Sequence, residues 1–77
     1  MFEYIDNSLL NDERVKYALG LTYLVQEQHK IIGFNSPNSQ QLEQAIAYFD
    51  KAIQLQPNHL LALAKRGTVL GLLGKKN

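Results

Sequence analysis

Residues 39–57 read SQQLEQAIAYFDKAIQLQP, and this stretch decides the fold. Leu42, Ala45, Ile46, Phe49, Ala52 and Ile53 fall at i, i+3, i+4, i+7, i+10 and i+11, one stripe of an amphipathic α-helix. Gln44, Lys51 and Gln54 mark the opposite face. Asn38 stands where a helix cap is needed, with Gln41 three residues on, the arrangement of a capping box. Pro57 stops the helix near Gln56, because a proline disfavours helical backbone in the residue before it.

Working outward, Gly33 to Asn38 is the clearest break, with Gly33 suited to the residue just past a helix and Pro37 unable to continue one. Upstream, an Asn11/Asp12 cap with acids in the first turn opens a helix that runs to Ile32. Val15, Leu19, Thr22 and Val25 or Gln26 mark one face, and Tyr17, Leu21 and Leu24 a second. This helix is apolar nearly all round between Tyr17 and Val25, so both faces are expected to be covered. Downstream, Asn58 is expected to cap a third helix over 59 to about 73, with His59 a solvated first-turn residue and Gly74 closing it. Residues 1–10 are apolar but weakly periodic and read as an arm or short helix.

The spacing of Ala45, Phe49, Ala52 and Pro57 resembles the second half of a tetratricopeptide repeat (TPR). Leu19, Gly20 and Tyr23 match the L-G-x-x-Y of that family's first helix, with Lys16 at the signature Trp site. Gly67 stands ten residues after Pro57, as the next repeat requires, Leu63 and Leu70 take its Trp and Tyr sites, and Arg66 replaces the usual Leu. Gly20 to Gly67 is 13 residues longer than one 34-residue repeat, which places an insertion at the tip of the first hairpin. The resemblance implies an all-α chain: a TPR-like antiparallel hairpin plus a third helix, a short α-solenoid. Its parts are an arm over 1–10, a first repeat over 11–57 with the loop 33–38, and half a second repeat over 58–77. Gly20, Ala45, Ala52 and Gly67 are expected to let helices approach closely, and Phe34 to fold back from the loop.

The chain has 77 residues, 45% hydrophobic and 19% charged, which suits one small soluble domain and not a disordered segment. It has no Cys, so disulfides and cysteine zinc sites are excluded as staples. Residues 1–50 carry a net −4 and residues 51–77 a net +5. The basic third is spread over a helix and its tail, where cations offset the helix dipole. The acids of residues 1–15 oppose a leader peptide, and no apolar run is long enough for a membrane span, so a cytoplasmic location is expected.

His29 and His59 are too far apart for a metalloprotease helix, and Val69 and Lys76 stand where a phosphate loop needs Gly and Ser or Thr. Ser8, Ser36 and Ser39 lack a local base. No catalytic residue, cofactor or metal is expected. Tyr17, Tyr23 and Tyr48 sit at core spacing, not interleaved with bases, so nucleic acid is not the expected partner.

The resemblance further implies that the inner faces of successive first helices bind a partner. Here those faces hold Tyr17, Ala18, Leu21 and Leu24, then Leu61, Ala64, Lys65 and Thr68. The carboxylate clamp of the heat-shock-chaperone branch needs Asn and more cations than Arg14 and Lys65 supply, so that specialisation is excluded. The expected function is a non-catalytic adaptor presenting an apolar helical surface to a protein or peptide. The chain's own Phe2, Tyr4 and Ile5 are the alternative cover. Leu60, Leu63, Leu70 and Leu73 read as a stripe open to a second copy, so a homodimer is expected, and a structural homo-oligomer is the alternative function. Phe2, Ile5, Leu9 and Leu10 are the rival cover for that stripe.

Overall fold

The computed structural model describes residues 12–74, so the arm over residues 1–10 and the Lys75-Lys76-Asn77 tail lie outside the described residues. The fold is all-α: helix α1 (Glu13–Ile32), helix α2 (Ser39–Leu55) and helix α3 (Leu60–Leu72). Short connections fold α2 back along α1 and α3 back along α2. Tyr23 stacks on Tyr48, ring centroids 5.7 Å apart, and Arg66 Nε donates to Asp50 Oδ1 at 2.5 Å.

Phe49 is the centre of the core. It is fully buried with Leu24, Leu42, Ala45, Ala52, Ala62 and Val69, and Tyr17 lies against its ring at 5.7 Å. Gly20 makes this possible. A Cβ there would stand 2.6 Å from Phe49 Cε1 and 2.7 Å from Cδ1, inside contact distance of a ring that has nowhere to move. Gly67 behaves differently from the sequence expectation. Nothing among the described residues lies within 4 Å of where its Cβ would be.

The helix ends carry three further corrections. Asn38 does cap α2, its Oδ1 accepting from the N–H groups of Gln40 (2.8 Å) and Gln41 (3.2 Å). The return half of the capping box comes from α1 and not from Gln41: the Asn38 N–H donates to Glu27 Oε1 at 2.6 Å. Glu27 is only 1% exposed, and Lys30 Nζ lies 3.2 Å from the same oxygen. The first turn of α2 holds no acid of its own, so Glu27 also supplies the negative charge that a helix N-terminus favours.

At the end of α1, Gly33 has φ −84° and it is Phe34 that takes the left-handed conformation, at φ 62°. Phe34 N–H donates to Ile31 O (2.9 Å) and Asn35 N–H to Lys30 O (2.7 Å), a Schellman closure one residue later than the glycine suggested. Phe34 does not fold back; it is 99% exposed. The cap of α3 is His59, not Asn58: His59 Nδ1 accepts from Ala62 N–H at 3.2 Å, while Asn58 Oδ1 accepts from the Gln56 side chain. The ring of Tyr17 at 5.0 Å holds the imidazole there. At the start of α1, Asp12 is the cap, and the Arg14 guanidinium holds its carboxyl well below the usual carboxylate range.

α1 is not covered on both faces. Val15, Leu19 and Thr22 remain open among the described residues, because α2 and α3 both lie on the Tyr17–Gly20–Leu24 side.

Two glycines of equal standing in the sequence are expected to respond oppositely to alanine. Gly20→Ala overfills the Phe49 contact and costs about 1–3 kcal/mol. Gly67→Ala meets open space and gains up to about 1 kcal/mol from helix propensity. Thermal melts of the two variants check this, at roughly 4–8 °C per kcal/mol for a domain of this size. Glu27→Ala leaves the Asn38 N–H and Lys30 without their acceptor and is expected to cost about 1–3 kcal/mol; Glu27→Gln, which keeps an acceptor, is expected to melt between that variant and the wild type.

Candidate functional site

α1 and α3 run in the same direction on one side of α2. Tyr17 against His59 fixes their register at one end. At the other, Val25, Gln28, His29, Ile31 and Ile32 of α1 enclose an open groove of about 530 Å³ with Leu72 of α3. Two rows of equal spacing, Leu21, Val25, Gln28 and Ile32 on α1 and Leu61, Lys65, Thr68 and Leu72 on α3, each at i, i+4, i+7 and i+11, end at this groove, which Val25, Gln28, Ile32 and Leu72 of them line.

The expected inner-face residues divide. Leu24 is fully buried in the core and has no surface to give. Tyr17 and Leu21 are half-buried against the core cluster. Leu61 is 60% exposed, Ala64 and Thr68 are exposed, and Lys65 is half-buried. The Thr68 hydroxyl donates to Ala64 O at 3.2 Å and so does not present its proton outward. Val25, Gln28, His29, Ile31, Ile32 and Leu72 were missed by the sequence reading. The signal for Val25, Gln28 and Ile32 is the four-residue and three-residue spacing that continues from Leu21; nothing in that spacing marks His29, Ile31 or Leu72.

The electrostatics of the face are one-sided. From Arg14 to Ile32 and throughout α3 the sole carboxylate is Glu27, which is buried against Asn38 and Lys30. Arg14 pairs with Asp12 at 2.7 Å and Arg66 with Asp50. Lys65, in the middle of the α3 ridge, has no ion pair among the described residues. A second depression, lined by Tyr23, Ser39, Gln40, Gln41, Glu43 and Gln44, is polar and lies at the start of α2.

The proposed self-association stripe also divides. Leu60 is 75% exposed and Leu63 is open, whereas Leu70 is only 9% exposed and Leu73 packs against the core. Thirteen residues at about 100° each carry Leu73 roughly 140° round the helix from Leu60, so the four leucines do not share one face. Among the described residues no three His, Asp or Glu side chains gather as a metal site, and no helix is long and apolar enough to cross a membrane.

Comparison with protein families, characterised proteins and solved structures finds no match to this chain.

Leu70→Glu is expected to unfold the protein, since it buries a charge without a partner. Leu60→Glu, on the open side of the same helix, is expected to leave far-ultraviolet circular dichroism and the melting midpoint close to wild type.

Proposed function

We propose that this chain is a non-catalytic, TPR-like adaptor of the cytoplasm that binds a short apolar segment carrying acidic residues along its α1–α3 face. The observation that carries the reading is a half-buried Lys65 with no ion pair among the described residues, with exposed Leu61 on the same row and the exposed Val25 and Ile32 and the half-buried Leu72 at the groove beyond. An open apolar ridge of this kind favours an apolar helix or strand from a partner. The absence of exposed carboxylates along both ridges selects acidic flanks over basic ones, because complementary charge speeds encounter and rejects like-charged competitors. The repeat reading is supported by the antiparallel hairpin and by the Gly20–Phe49 approach, which falls on two of the residues that carry the resemblance.

Selection of a random peptide library on the immobilised wild-type protein tests the reading. The enriched pool is expected to combine Leu, Ile or Phe with Asp or Glu, and Leu61→Asp and Lys65→Glu are each expected to reduce its recovery at least about tenfold, the equivalent of 1.4 kcal/mol. Recovery that these variants leave unchanged, or a pool rich in Lys and Arg, overturns it.

The rival reading, a structural homo-oligomer, is favoured by Leu60 and Leu63 on the outer side of α3, where Gly67 and Gly71 leave open space beside them. Sedimentation equilibrium over a wide concentration range separates the two readings: a monomer throughout leaves only the adaptor.

A further inference from the structure

The tip of the α1–α2 hairpin carries an apolar knob beside an apolar hollow. Phe34 is 99% exposed, and its φ of 62° is a left-handed conformation that a bulky side chain rarely adopts. Among the described residues it is the one exposed Phe or Tyr. Apolar exposure and backbone strain thus fall on the same side chain, a coincidence that marks a site of interaction and not of packing. We propose that Phe34 anchors a two-fold dimer joined at the hairpin tips, in which the ring of each copy fills the groove between α1 and α3 of the other.

Three observations carry it. The first is fit. The groove of about 530 Å³ is lined by Val25, Ile31, Ile32 and Leu72, together with Gln28 and His29. A phenyl ring needs less room than this, since a cavity of about 150 Å³ takes up benzene. The aliphatic side chains offer apolar contact, and the His29 imidazole offers the ring a flat partner. The second is place. The Phe34 N–H donates to Ile31 O at 2.9 Å, so the backbone of the knob is pinned to a residue that lines the hollow. Knob and hollow therefore lie side by side at one end of the molecule. One two-fold axis between them seats each ring in the other copy's groove, and a contact of that kind closes at two copies. The third is charge. Residues 31–42 carry no charged side chain, and Lys30 beside them lies 3.2 Å from Glu27 Oε1. Two such tips meet without like-charge repulsion.

The contact area sets the strength. Each phenyl side chain buries about 150–250 Å², and an equal area of groove brings the total for two copies to about 600–1,000 Å². That lies below the roughly 1,200 Å² at which stable interfaces begin, so the dimer is weak, with Kd on the order of 100 µM to 1 mM. The inference stands independently of the adaptor reading and shares only the groove with it.

The chain has no Trp, so Phe34→Trp places a single fluorophore on the knob. Its emission is expected to move to shorter wavelength as the protein is raised from about 10 µM to 1 mM, while sedimentation equilibrium shows the mass doubling. Val25→Glu, at an exposed position of the groove, is expected to abolish both changes with the helical circular dichroism retained. Phe34→Gly is expected to stay monomeric and to melt no lower than dilute wild type, because glycine takes a positive φ without strain. A ring that only stapled the loop would lower the melt when removed. A wild type that is monomeric throughout overturns the proposal. So does a dimer that Phe34→Gly or Val25→Glu leaves intact; if Leu60→Glu dissociates it, the contact lies on the outer side of α3. A shift to shorter wavelength in dilute Phe34→Trp that appears only with phosphatidylcholine–phosphatidylserine vesicles also overturns it, because the occupant is then a lipid surface. None of these outcomes touches the peptide selection, which tests the adaptor reading separately.

Discussion

The contact between Gly20 and Phe49 governs this structure. A fully buried phenylalanine ring lies where any Cβ on residue 20 would be, so α1 and α2 approach more closely there than two helices bearing ordinary side chains can. Much else follows from that approach. Leu24 and Leu42 close the core on the tip side of the ring, and Tyr17 closes it on the other. Ala45 and Ala52, both without exposed surface, leave α2 thin enough to serve both neighbours, and Ala62 of α3 repeats the device. The hairpin is therefore built on small residues facing one large one, which brings interior density to a domain with little interior.

The far end of the hairpin is held by a different kind of force. Glu27 is the one buried charge of the core region, and it is buried because it has work for its oxygens: the Asn38 N–H, the Lys30 ammonium and the positive end of α2 all converge on it. A buried carboxylate without such partners is destabilising. With them it ties the end of α1 to the beginning of α2 and sets where the loop between them must close. That closure leaves Phe34 in a left-handed conformation at the exposed tip, a cost the loop bears because the two helices on either side are already positioned.

The functional reading depends on what α3 leaves uncovered. Laid against α2 by Ala62, Val69 and Leu70, α3 leaves Leu61 and Thr68 exposed and Lys65 half-buried. The helices meet at Tyr17 and His59 and enclose a groove at Leu72. Among the described residues, the helices between those points carry no exposed carboxylate, and Lys65 has no ion pair. Exposed apolar side chains of this kind are the basis of the docking role proposed for this face.

Local rules were enough to read the helices. Periodicity placed α2, Pro57 ended it, Asp12 and Asn38 capped as their side-chain chemistry demands, and Gly74 closed α3 at φ 75°, because each of these depends on residues within one or two turns. Which apolar residues are inside was not legible in the same way. Leu60 and Leu70 are the same residue type on the same helix, and only the direction from which α2 approaches makes one exposed and the other core. Gly20 and Gly67 likewise differ only in what stands opposite them. Glu27 is buried because α2 begins beside it, and His59 is a cap because Tyr17, 42 residues earlier, holds its ring in place. Local sequence sufficed for the number of helices and their approximate limits; contacts from other helices decided the cap of α3 and which faces are covered, because burial is a property of the neighbour and not of the residue.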